Sequence, residues 1–369
     1  MLKLSQPNIS EAAIAAVGDV LRSGQLVHGP ECEAFERELA AYLGCREVIL
    51  VSSGTAALHV ALLALDIGPG DAVVVPDFTF PATANVVAMT GAKPVIVDVM
   101  PGTYALNAAQ LEELVRNWKG PERLRAVMPV HEFGCMADMP EINRIAREHG
   151  LAVVEDAACA LGASLADRKA GAWGDAGCFS FHPRKTLTTG EGGAISTDNA
   201  ELAARMRRLR NHGMERTEEG MRFFEPATNY RLTNFQAALG RAQLPLLDSW
   251  IAQRRRLASV YLGLLAPLQA RGLLRLPDDA AGHSWQTFMV VNKSGQPRSE
   301  IIQALREAGV EANLGAQSLS ALGIYGGSEQ ATPCGGNLYR EGIALPMYER
   351  MLESEVDFVV KTLCGALEV

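Results

Sequence analysis

The amino-acid sequence predicts an α/β fold, with a mainly parallel central sheet flanked by helices in a large domain and a smaller α+β domain at the C-terminal end. Two observations lead to this prediction. Short, continuous apolar runs alternate with segments whose apolar residues recur at helical spacing, which is typical of parallel strands covered on both faces. After about Trp250 this alternation weakens. We therefore expect the large domain at residues 1–250 and the small domain at 251–369.

The elements of the large domain follow one another in a regular order. Val48–Val51 is a short run rich in β-branched residues, and apolar side chains at helical spacing follow it. A Gly-Pro-Gly-Asp turn at 68–71 then precedes the next buried strand. Repetition of this unit predicts strands at 48–51, 72–75, 93–99, 125–130, 151–156, 178–181 and 193–198, and helices at 55–65, 108–115, 139–148 and 201–211.

The pattern changes after residue 211. Residues 212–232 have no clean period, which predicts a long loop. Thr233 is expected to N-cap a helix, which Pro245 should kink or interrupt. The apolar face of that helix is predicted from Phe235, Ala238, Leu239 and Ala242. For the smaller domain the sequence predicts a strand at 284–292 and a capped helix at 299–310.

Composition and charge argue against several function classes. The 369 residues carry a net charge of −8, which argues against a nucleic-acid-binding protein. The cysteines number seven, and none are spaced as Cys-x-x-Cys, so the sequence predicts a reducing compartment and no metal site. The N-terminal segment lacks the apolar core of a signal peptide, and no apolar run is long enough to cross a bilayer. We therefore expect a cytoplasmic protein.

A lysine between a predicted buried strand and a flexible turn is the first candidate for chemistry. Lys185 lies in the segment GCFSFHPRKTLTTGEGG at 177–193. Burial among apolar, proline and glycine residues is expected to lower the pKa of its ammonium group from about 10.4. A neutral lysine forms Schiff bases with aldehydes. The alternative is a surface lysine in a turn, which is the commoner place for a single lysine.

Three further stretches follow predicted strands, where parallel α/β sheets bind their ligands. Ser53–Ala56 begins a helix and can bind phosphate through backbone N–H groups, with plain N-capping as the alternative. Glu155 and Asp156 end a strand, and one of them can pair with a protonated pyridine nitrogen or serve as a capping or salt-bridging acid. Phe80 can present a ring to a flat ligand, whereas Phe78 is expected in the core. With the lysine, these groups predict a site for pyridoxal 5′-phosphate (PLP).

Ordered motifs extend along nearly the whole chain. They include SSGTAALHVALLAL at 52–65, GPGDAVVVPDFTFPATANVV at 68–87, PVHEFGCMADM at 129–139, GCFSFHPRKTLTTGEGGAIST at 177–197 and NYRLTNFQAALGRAQL at 229–244. With these motifs the sequence resembles the DegT/StrS-type nucleotide-sugar aminotransferases. That family has the aspartate-aminotransferase fold, known as PLP fold type I.

The resemblance implies a role for each candidate residue. Lys185 would bond the cofactor aldehyde and shuttle protons, and Asp156 would bind the pyridinium nitrogen. The other residues implied to bind the cofactor are Gly54, Thr55 and Ala56 at the helix start, Ser180 at the phosphate, Phe80 and Cys159 at the ring, and Asn229, which reaches the phosphate from a neighbouring subunit. The site would therefore need a homodimer. Roles are left open for His131, His182, Glu191 and Arg231.

Three positions depart from the family pattern. Cys159 replaces the usual Gln or His beside the cofactor ring, and its thiol is only a weak hydrogen-bond donor. Gln286 and Ser320 stand where His is expected, on the sugar-binding side. The first departure bears on how the cofactor is tuned, and the other two bear on the substrate.

The resemblance implies transfer of an amino group, with glutamate as the expected donor, to a keto-deoxy sugar linked to a nucleotide. The alternatives are a cyclitol or other non-nucleotide ketone as acceptor, a related PLP sugar dehydratase, and a non-catalytic regulatory protein. Relatives that act as dehydratases replace the lysine with His, and some bind an iron–sulfur cluster through clustered cysteines. Here Lys185 is present and the cysteines are dispersed.

Overall fold

The computed structural model describes residues 1–367 and contains helices and strands in close agreement with the predicted order. The helices are α1 Glu11–Ser23, α2 Pro30–Leu43, α3 Gly54–Ala64, α4 Ala82–Met89, α5 Ala108–Arg116, α6 Met139–His149, α7 Ala200–Leu209, α8 Asn234–Gln243, α9 Leu247–Ala270, α10 Arg298–Glu307, α11 Leu319–Leu322, α12 Pro333–Glu341 and α13 Glu353–Ala366.

The strands are short, and most of those in the large sheet are buried. They are β1 Glu47–Val51, β2 Asp71–Pro76, β3 Phe78–Thr79, β4 Lys93–Val97, β5 Arg123–Val127, β6 Ala152–Asp156, β7 Ser164–Leu165, β8 Arg168–Lys169, β9 Ala176–Ser180, β10 Gly193–Thr197, β11 Met214–Thr217, β12 Gly220–Phe223, β13 Leu274–Arg275, β14 Phe288–Asn292, β15 Gln317–Ser318 and β16 Gly342–Leu345.

The central sheet has seven strands in the order β1-β10-β9-β6-β5-β2-β4. Strand β10 runs antiparallel to both of its neighbours, and the other strands are parallel to one another. The carboxyl ends of β1, β2, β5, β6 and β9 therefore meet at one edge of the sheet. The α/β fold with a mainly parallel sheet, predicted from the sequence, is confirmed.

Side chains of each central strand alternate between two hydrophobic cores. In β2, Val73 and Val75 pack with α3, α4 and α7 on one face, whereas Val74 packs with α2, α5 and α6 on the other. Full burial of one such side chain contributes about 1.5–3 kcal/mol. Because both faces are covered, these strands are continuous apolar runs rather than alternating ones.

The structure of residues 212–246 differs from the prediction in the loop and agrees with it at both ends of helix α8. The predicted loop contains the hairpin β11–β12, which the sequence does not indicate because its residues are mostly exposed and carry no apolar alternation. Thr233 forms a capping box with Gln236 at the start of α8. A 3₁₀ turn at Leu244–Leu246, which contains Pro245, separates α8 from α9, as predicted.

The buried face of α8 differs from the predicted one. Ala238 is buried, but Phe235, Leu239 and Ala242 are only half-buried. The buried side is instead formed by Asn234, Ala237, Ala238, Gly240 and Gln243. Small and polar residues occupy it because α8 packs closely on α1 and α2: a Cβ at Gly240 would lie 2.5 Å from the ring of Phe35.

The C-terminal elements form a second layer around the antiparallel sheet β13-β14-β16. Helices α9, α10 and α13 pack on this sheet in a third core. The predicted strand at 284–292 begins only at Phe288, because Trp285 adopts a positive φ of 51°. Helix α9 joins the layers, with Ile251 in a core of the large sheet and Leu257 in the C-terminal core. We propose that the domain boundary lies in this helix.

Candidate active site

A cavity of about 440 Å³ opens at the carboxyl edge of the central sheet. Residues that follow several different strands line it, as expected for a parallel α/β sheet. The cavity brings together most of the predicted site residues, namely Gly54, Thr55, Phe80, Asp156, Cys159, Ser180 and Lys185. It does not include Ala56 or Asn229.

Lys185 lies in a turn directly after β9. The turn is closed by a hydrogen bond from the Lys185 N–H to the carbonyl of His182 at 2.8 Å, and the His182 ring accepts the N–H of Arg184 at 3.2 Å. The Nζ of Lys185 donates to the Sγ of Cys159 at 3.0 Å. The geometry places the amine inside the cavity and excludes the alternative of a solvent-facing lysine.

The expected lowering of the Lys185 pKa is wrong. Burial does lower the pKa of the Lys185 ammonium group, but Cys159, Glu132 and Asp156 raise it by more, and the pKa lies above its usual value. The sequence reasoning counted the apolar residues around the lysine and missed the acidic groups that the fold brings next to it. Glu132 is 53 positions away in sequence, so local context does not reveal it.

Asp156 ends β6 and turns its carboxylate into the cavity. Its Oδ2 accepts a hydrogen bond from Thr83 at 2.8 Å, and its Oδ1 accepts the N–H of Ala158 at 3.2 Å. Thr83 is in turn bonded to Thr79 at 3.0 Å. Burial raises the pKa of Asp156, and these hydrogen bonds and Lys185 oppose that shift. The carboxylate is thus held in one orientation by groups that favour its charged form.

Glu155 points to the opposite face of the sheet, because successive strand residues alternate. Its carboxylate accepts the N–H groups of Gly171, Trp173 and Gly174 at 2.6–2.9 Å. It also bonds the ring of His131 at 2.9 Å. The second nitrogen of that ring accepts the N–H of Ala137. Glu155 and His131 therefore organise the loops behind the site and do not line the cavity.

The start of α3 and the end of β9 form a cradle for a small anion. Ser53 caps the helix by accepting the N–H of Ala56 at 3.0 Å, as the N-capping alternative predicted. The N–H groups of Gly54 and Thr55 lie in the first turn, where a helix has no internal acceptors for them. Ser180 contributes a hydroxyl at the same place. Helix N-termini of this kind bind phosphate.

The cradle depends on the absence of a side chain at Gly54. A Cβ built there would lie 2.9 Å from the Cβ of Ser180, closer than packed carbon atoms approach. The first turn of α3 and the last residue of β9 can therefore approach closely enough to share one ligand. This close fit, together with the free N–H groups, matches the phosphate group of PLP.

Phe80 and Asn229 lie at the margins of this arrangement. The Phe80 ring lines the cavity but is 71% exposed. Asn229 forms an isolated bridge with Asn211, outside the cavity. Arg231, in the same loop, donates to the side chain of Asn211. The structure thus places Asn229 away from the cavity of its own chain.

Sequence reasoning missed two residues of the site, Glu132 and Thr83. Glu132 lies in the loop after β5, at the sheet edge where Asp156 ends β6, so its position after a strand could have indicated it. Thr83 is a polar residue in an otherwise apolar helix start. Gln286, singled out as a departure from the family pattern, also lines the cavity, and its amide donates to the carbonyl of Arg184 at 2.8 Å.

The fold, the lysine and aspartate in one cavity and the anion cradle define a PLP enzyme of fold type I. A model of the DegT/DnrJ/EryC1/StrS aminotransferase family matches residues 7–364. The chain therefore belongs to this aminotransferase family, and the resemblance found in the sequence is confirmed. Aminotransferases of this family bind PLP, which confirms the predicted cofactor.

Individual relatives are similar over nearly their full length. GDP-perosamine synthase of Caulobacter vibrioides is 38% identical over 340 residues, covering 89% of this chain and 88% of the relative. Spore coat polysaccharide biosynthesis protein SpsC of Bacillus subtilis is 36% identical over 384 residues, covering 98% and 96%. The solved PLP form of Spr1654 from Streptococcus pneumoniae is 26% identical, with a TM-score of 0.91 over 100% of this chain and 98% of that one.

Two further observations bear on ligands and surroundings. Within residues 1–367, no group of three or more His, Cys, Asp or Glu side chains is arranged to hold a metal ion. In the same part of the chain, no helix combines the length and the apolar character needed to cross a membrane.

Proposed function

We propose that this protein is a PLP-dependent sugar aminotransferase that transfers the amino group of glutamate to a keto-deoxy sugar linked to a nucleotide. The observation that carries the proposal is the placement of Lys185 and Asp156 in one cavity beside the anion cradle. The acceptor class is supported by a relative named GDP-perosamine synthase. The name of a second relative places it in polysaccharide biosynthesis, which supports a role in making deoxyamino sugars for the cell surface.

Different residues of the cavity would bind the phosphate and the ring of the cofactor. The N–H groups of Gly54 and Thr55 and the Ser180 hydroxyl would bind the phosphate, with the helix dipole adding to the attraction. The predicted contribution of Ala56 is not supported, because its N–H already donates to Ser53. Asp156, held by Thr83, would bind the protonated ring nitrogen. Phe80 would cover one face of the ring, and Cys159 would lie beside Lys185 at its edge.

When bound, PLP supplies an aldehyde that bonds amino groups and a ring that takes up an electron pair. Lys185 would be the residue that holds this aldehyde when the site is loaded. Its amine, once released, would be the base placed to take up a proton from the donor and to return one. Proton transfer by a positioned base contributes about 10²–10⁴-fold to the rate. Asp156 in its charged form would favour the protonated form of the ring nitrogen, and the hydrogen bonds from Thr83 and Ala158 favour that charged form.

A second copy of the chain would complete the site. Asn229 lies outside the cavity of its own chain, and the neighbouring hairpin exposes large apolar side chains, with Met221 at 61% and Phe223 at 66%. Exposed apolar surface of this kind is typical of interfaces between subunits. We infer a homodimer in which each hairpin loop brings Asn229 to the partner's phosphate cradle. We place the enzyme in the cytoplasm, since all seven cysteines are free thiols.

A panel of 3-keto and 4-keto sugars linked to UDP, dTDP or GDP tests the proposal. Purified holoenzyme is mixed with glutamate and each sugar, and 2-oxoglutarate and the amino sugar are measured. We expect one nucleotide and one keto position to be strongly favoured. Turnover of a keto cyclitol but of no nucleotide-sugar would overturn the proposed acceptor. Release of a dehydrated sugar without 2-oxoglutarate would overturn the proposed reaction.

A further inference from the structure

Glu132 occupies a tight turn directly after β5, at the edge of the sheet that carries Asp156. Phe133, the next residue, has a positive φ of 56°, and Gly134 follows with 94°. A positive φ at a non-glycine residue costs energy and persists only where neighbouring groups hold it. The carbonyl of Phe133 accepts the N–H of Gln286 at 2.9 Å, and that of Gly134 accepts the N–H of Ser284 at 3.0 Å. The turn is therefore fixed, and with it the direction of the Glu132 side chain.

The carboxyl group of Glu132 faces the cavity, and in the described residues 1–367 its one hydrogen-bonding neighbour is the backbone N–H of Phe133. The residue is 4% exposed and lines the same cavity as Lys185. Glu155, the other buried glutamate at this edge, makes four hydrogen bonds to its surroundings. With a single backbone contact, the Glu132 carboxyl group keeps hydrogen-bonding capacity that its protein surroundings leave unused, and burial makes unused capacity of this kind costly. The contrast indicates that the partner of Glu132 is a ligand.

The electrostatic surroundings make Glu132 both a donor and an acceptor near neutral pH. Burial raises the pKa of the Glu132 carboxyl to about 8, with Asp156 adding to the shift and Lys185 opposing it. A protonated carboxyl group donates one hydrogen bond and accepts others. Such a group pairs well with a hydroxyl. Once ionised, Glu132 repels the carboxylates of an amino-acid donor, whereas a hydroxyl can pair with it in either protonation state.

We propose that Glu132 binds a hydroxyl group of the sugar acceptor and thereby selects the sugar. The inference rests on the proposed function, since it takes the acceptor to be a keto sugar. A site built to hydrogen-bond a substrate hydroxyl discriminates strongly against analogues that lack it, because its own buried polar group is then left unpaired. Glu132 is thus a specificity residue for the second half of the reaction, in which the acceptor is aminated.

Steady-state and half-reaction kinetics of two variants test this role. Glu132→Leu removes the polar group, Glu132→Gln keeps a hydrogen-bonding group of similar size, and Glu300→Gln on the exposed surface of α10 is the control. We expect KM for the keto sugar to rise about tenfold or more in Glu132→Leu and less in Glu132→Gln. The donor half-reaction, followed by the spectrum of the bound cofactor with glutamate alone, should change by less than about twofold.

The outcomes separate this inference from the proposed function. If the wild type turns over a keto sugar and Glu132→Leu has the same KM for it, the inference is wrong and the proposed function stands. A parallel loss in the donor half-reaction would also overturn the inference, because Glu132 would then act on the cofactor or on Lys185. Absence of turnover with every keto sugar by the wild type would overturn both.

Unfolding measurements on the cofactor-free protein distinguish a ligand-binding role from a structural one. The pKa of Glu132 rises on folding from 4.5 to about 8, so the folded state binds more protons between these values and its stability falls as pH increases. Glu132→Leu removes this dependence. We expect the variant to be at least as stable as the wild type at about pH 8, with the difference shrinking toward pH 5. A variant less stable at both pH values would assign Glu132 to the fold.

Discussion

The amine of Lys185 lies 3.0 Å from the thiol of Cys159 and donates a hydrogen bond to it. Cys159 belongs to the loop after β6 and Lys185 to the turn after β9, so two neighbouring strands deliver the pair to one point of the cavity. Burial raises the pKa of the thiol, although Lys185 opposes that shift. The thiol thus takes the place of the amide or imidazole expected from the family pattern, and it contacts the lysine directly.

Removing the thiol should make the lysine amine more available. Cys159 is among the groups that raise the pKa of Lys185, so Cys159→Ala should lower that pKa and leave more neutral amine near about pH 7. We expect the cofactor-free variant to capture PLP faster at this pH and to show its half-maximal rate at lower pH than the wild type. The measurement is the rate of PLP uptake across a pH series, with Cys364→Ala as control. If the pH of half-maximal PLP uptake were unchanged or higher in Cys159→Ala, Cys159 would not raise the pKa of Lys185.

Lys185→Ala should abolish covalent attachment of the cofactor and reduce turnover by about 10²–10⁴-fold or more. Borohydride reduction of the holoenzyme followed by mass spectrometry should locate the cofactor on the peptide that contains residue 185. Lys361→Ala, on the exposed face of α13, serves as control. Cofactor found on another lysine, or turnover retained without Lys185, would remove the basis of the proposed mechanism.

Glu155 and Asp156 are adjacent, but their replacements should affect different properties. Glu155→Ala leaves several buried N–H groups without acceptors, each costing about 1–3 kcal/mol, so the free energy of unfolding should fall by at least about 3 kcal/mol. Asp156→Asn keeps one oxygen that can accept the N–H of Ala158, and the Thr83 hydroxyl can reorient to accept from the new amide group, so this variant should unfold near the wild-type denaturant concentration.

Asp156→Asn should reduce activity more than it reduces stability, the opposite of what we expect for Glu155→Ala. Loss of a charge aimed at the reacting group typically lowers kcat by about 10²–10³-fold, and we expect this for Asp156→Asn. Urea unfolding and steady-state kinetics on both variants provide the check. A stable but inactive Glu155→Ala, or an active Asp156→Asn, would reverse the assignment of the two acids.

Mixed dimers test whether Asn229 serves the neighbouring subunit. Lys185→Ala and Asn229→Ala chains carrying different tags are co-expressed, and the mixed dimer is purified through both tags. In a two-fold dimer with shared sites, one site carries both defects and the other carries neither. We expect about half of the wild-type activity, although each parent dimer is nearly inactive. Activity no higher than that of the parents would place Asn229 in the site of its own chain.

The sequence was most informative where local pattern decides structure. Buried parallel strands such as β2 are recognisable because the side chains on both of their faces are apolar. Asp156 is recognisable as a charged residue at the end of such a strand, and Lys185 as a charged residue in the loop that follows one. The hairpin β11–β12 escaped prediction because it lies outside the core and its side chains follow no period. Glu132 was not predicted because the turn that directs its side chain into the cavity is held by bonds from Ser284 and Gln286, far along the chain. The raised pKa of Lys185 was not predicted because Cys159, Glu132 and Asp156 reach the lysine only through the fold.

The bond from the Gln286 amide to the carbonyl of Arg184 spans 102 positions of sequence. During synthesis, chains generally fold from the N-terminus onward, so the turn that holds the lysine leaves the ribosome long before its anchor. A nascent chain can thus complete the central sheet while that turn still lacks its bond to Gln286. The active site would then be complete only after Gln286, in the last third of the chain, has been synthesised. The enzyme would therefore become active only when most of its chain has been made.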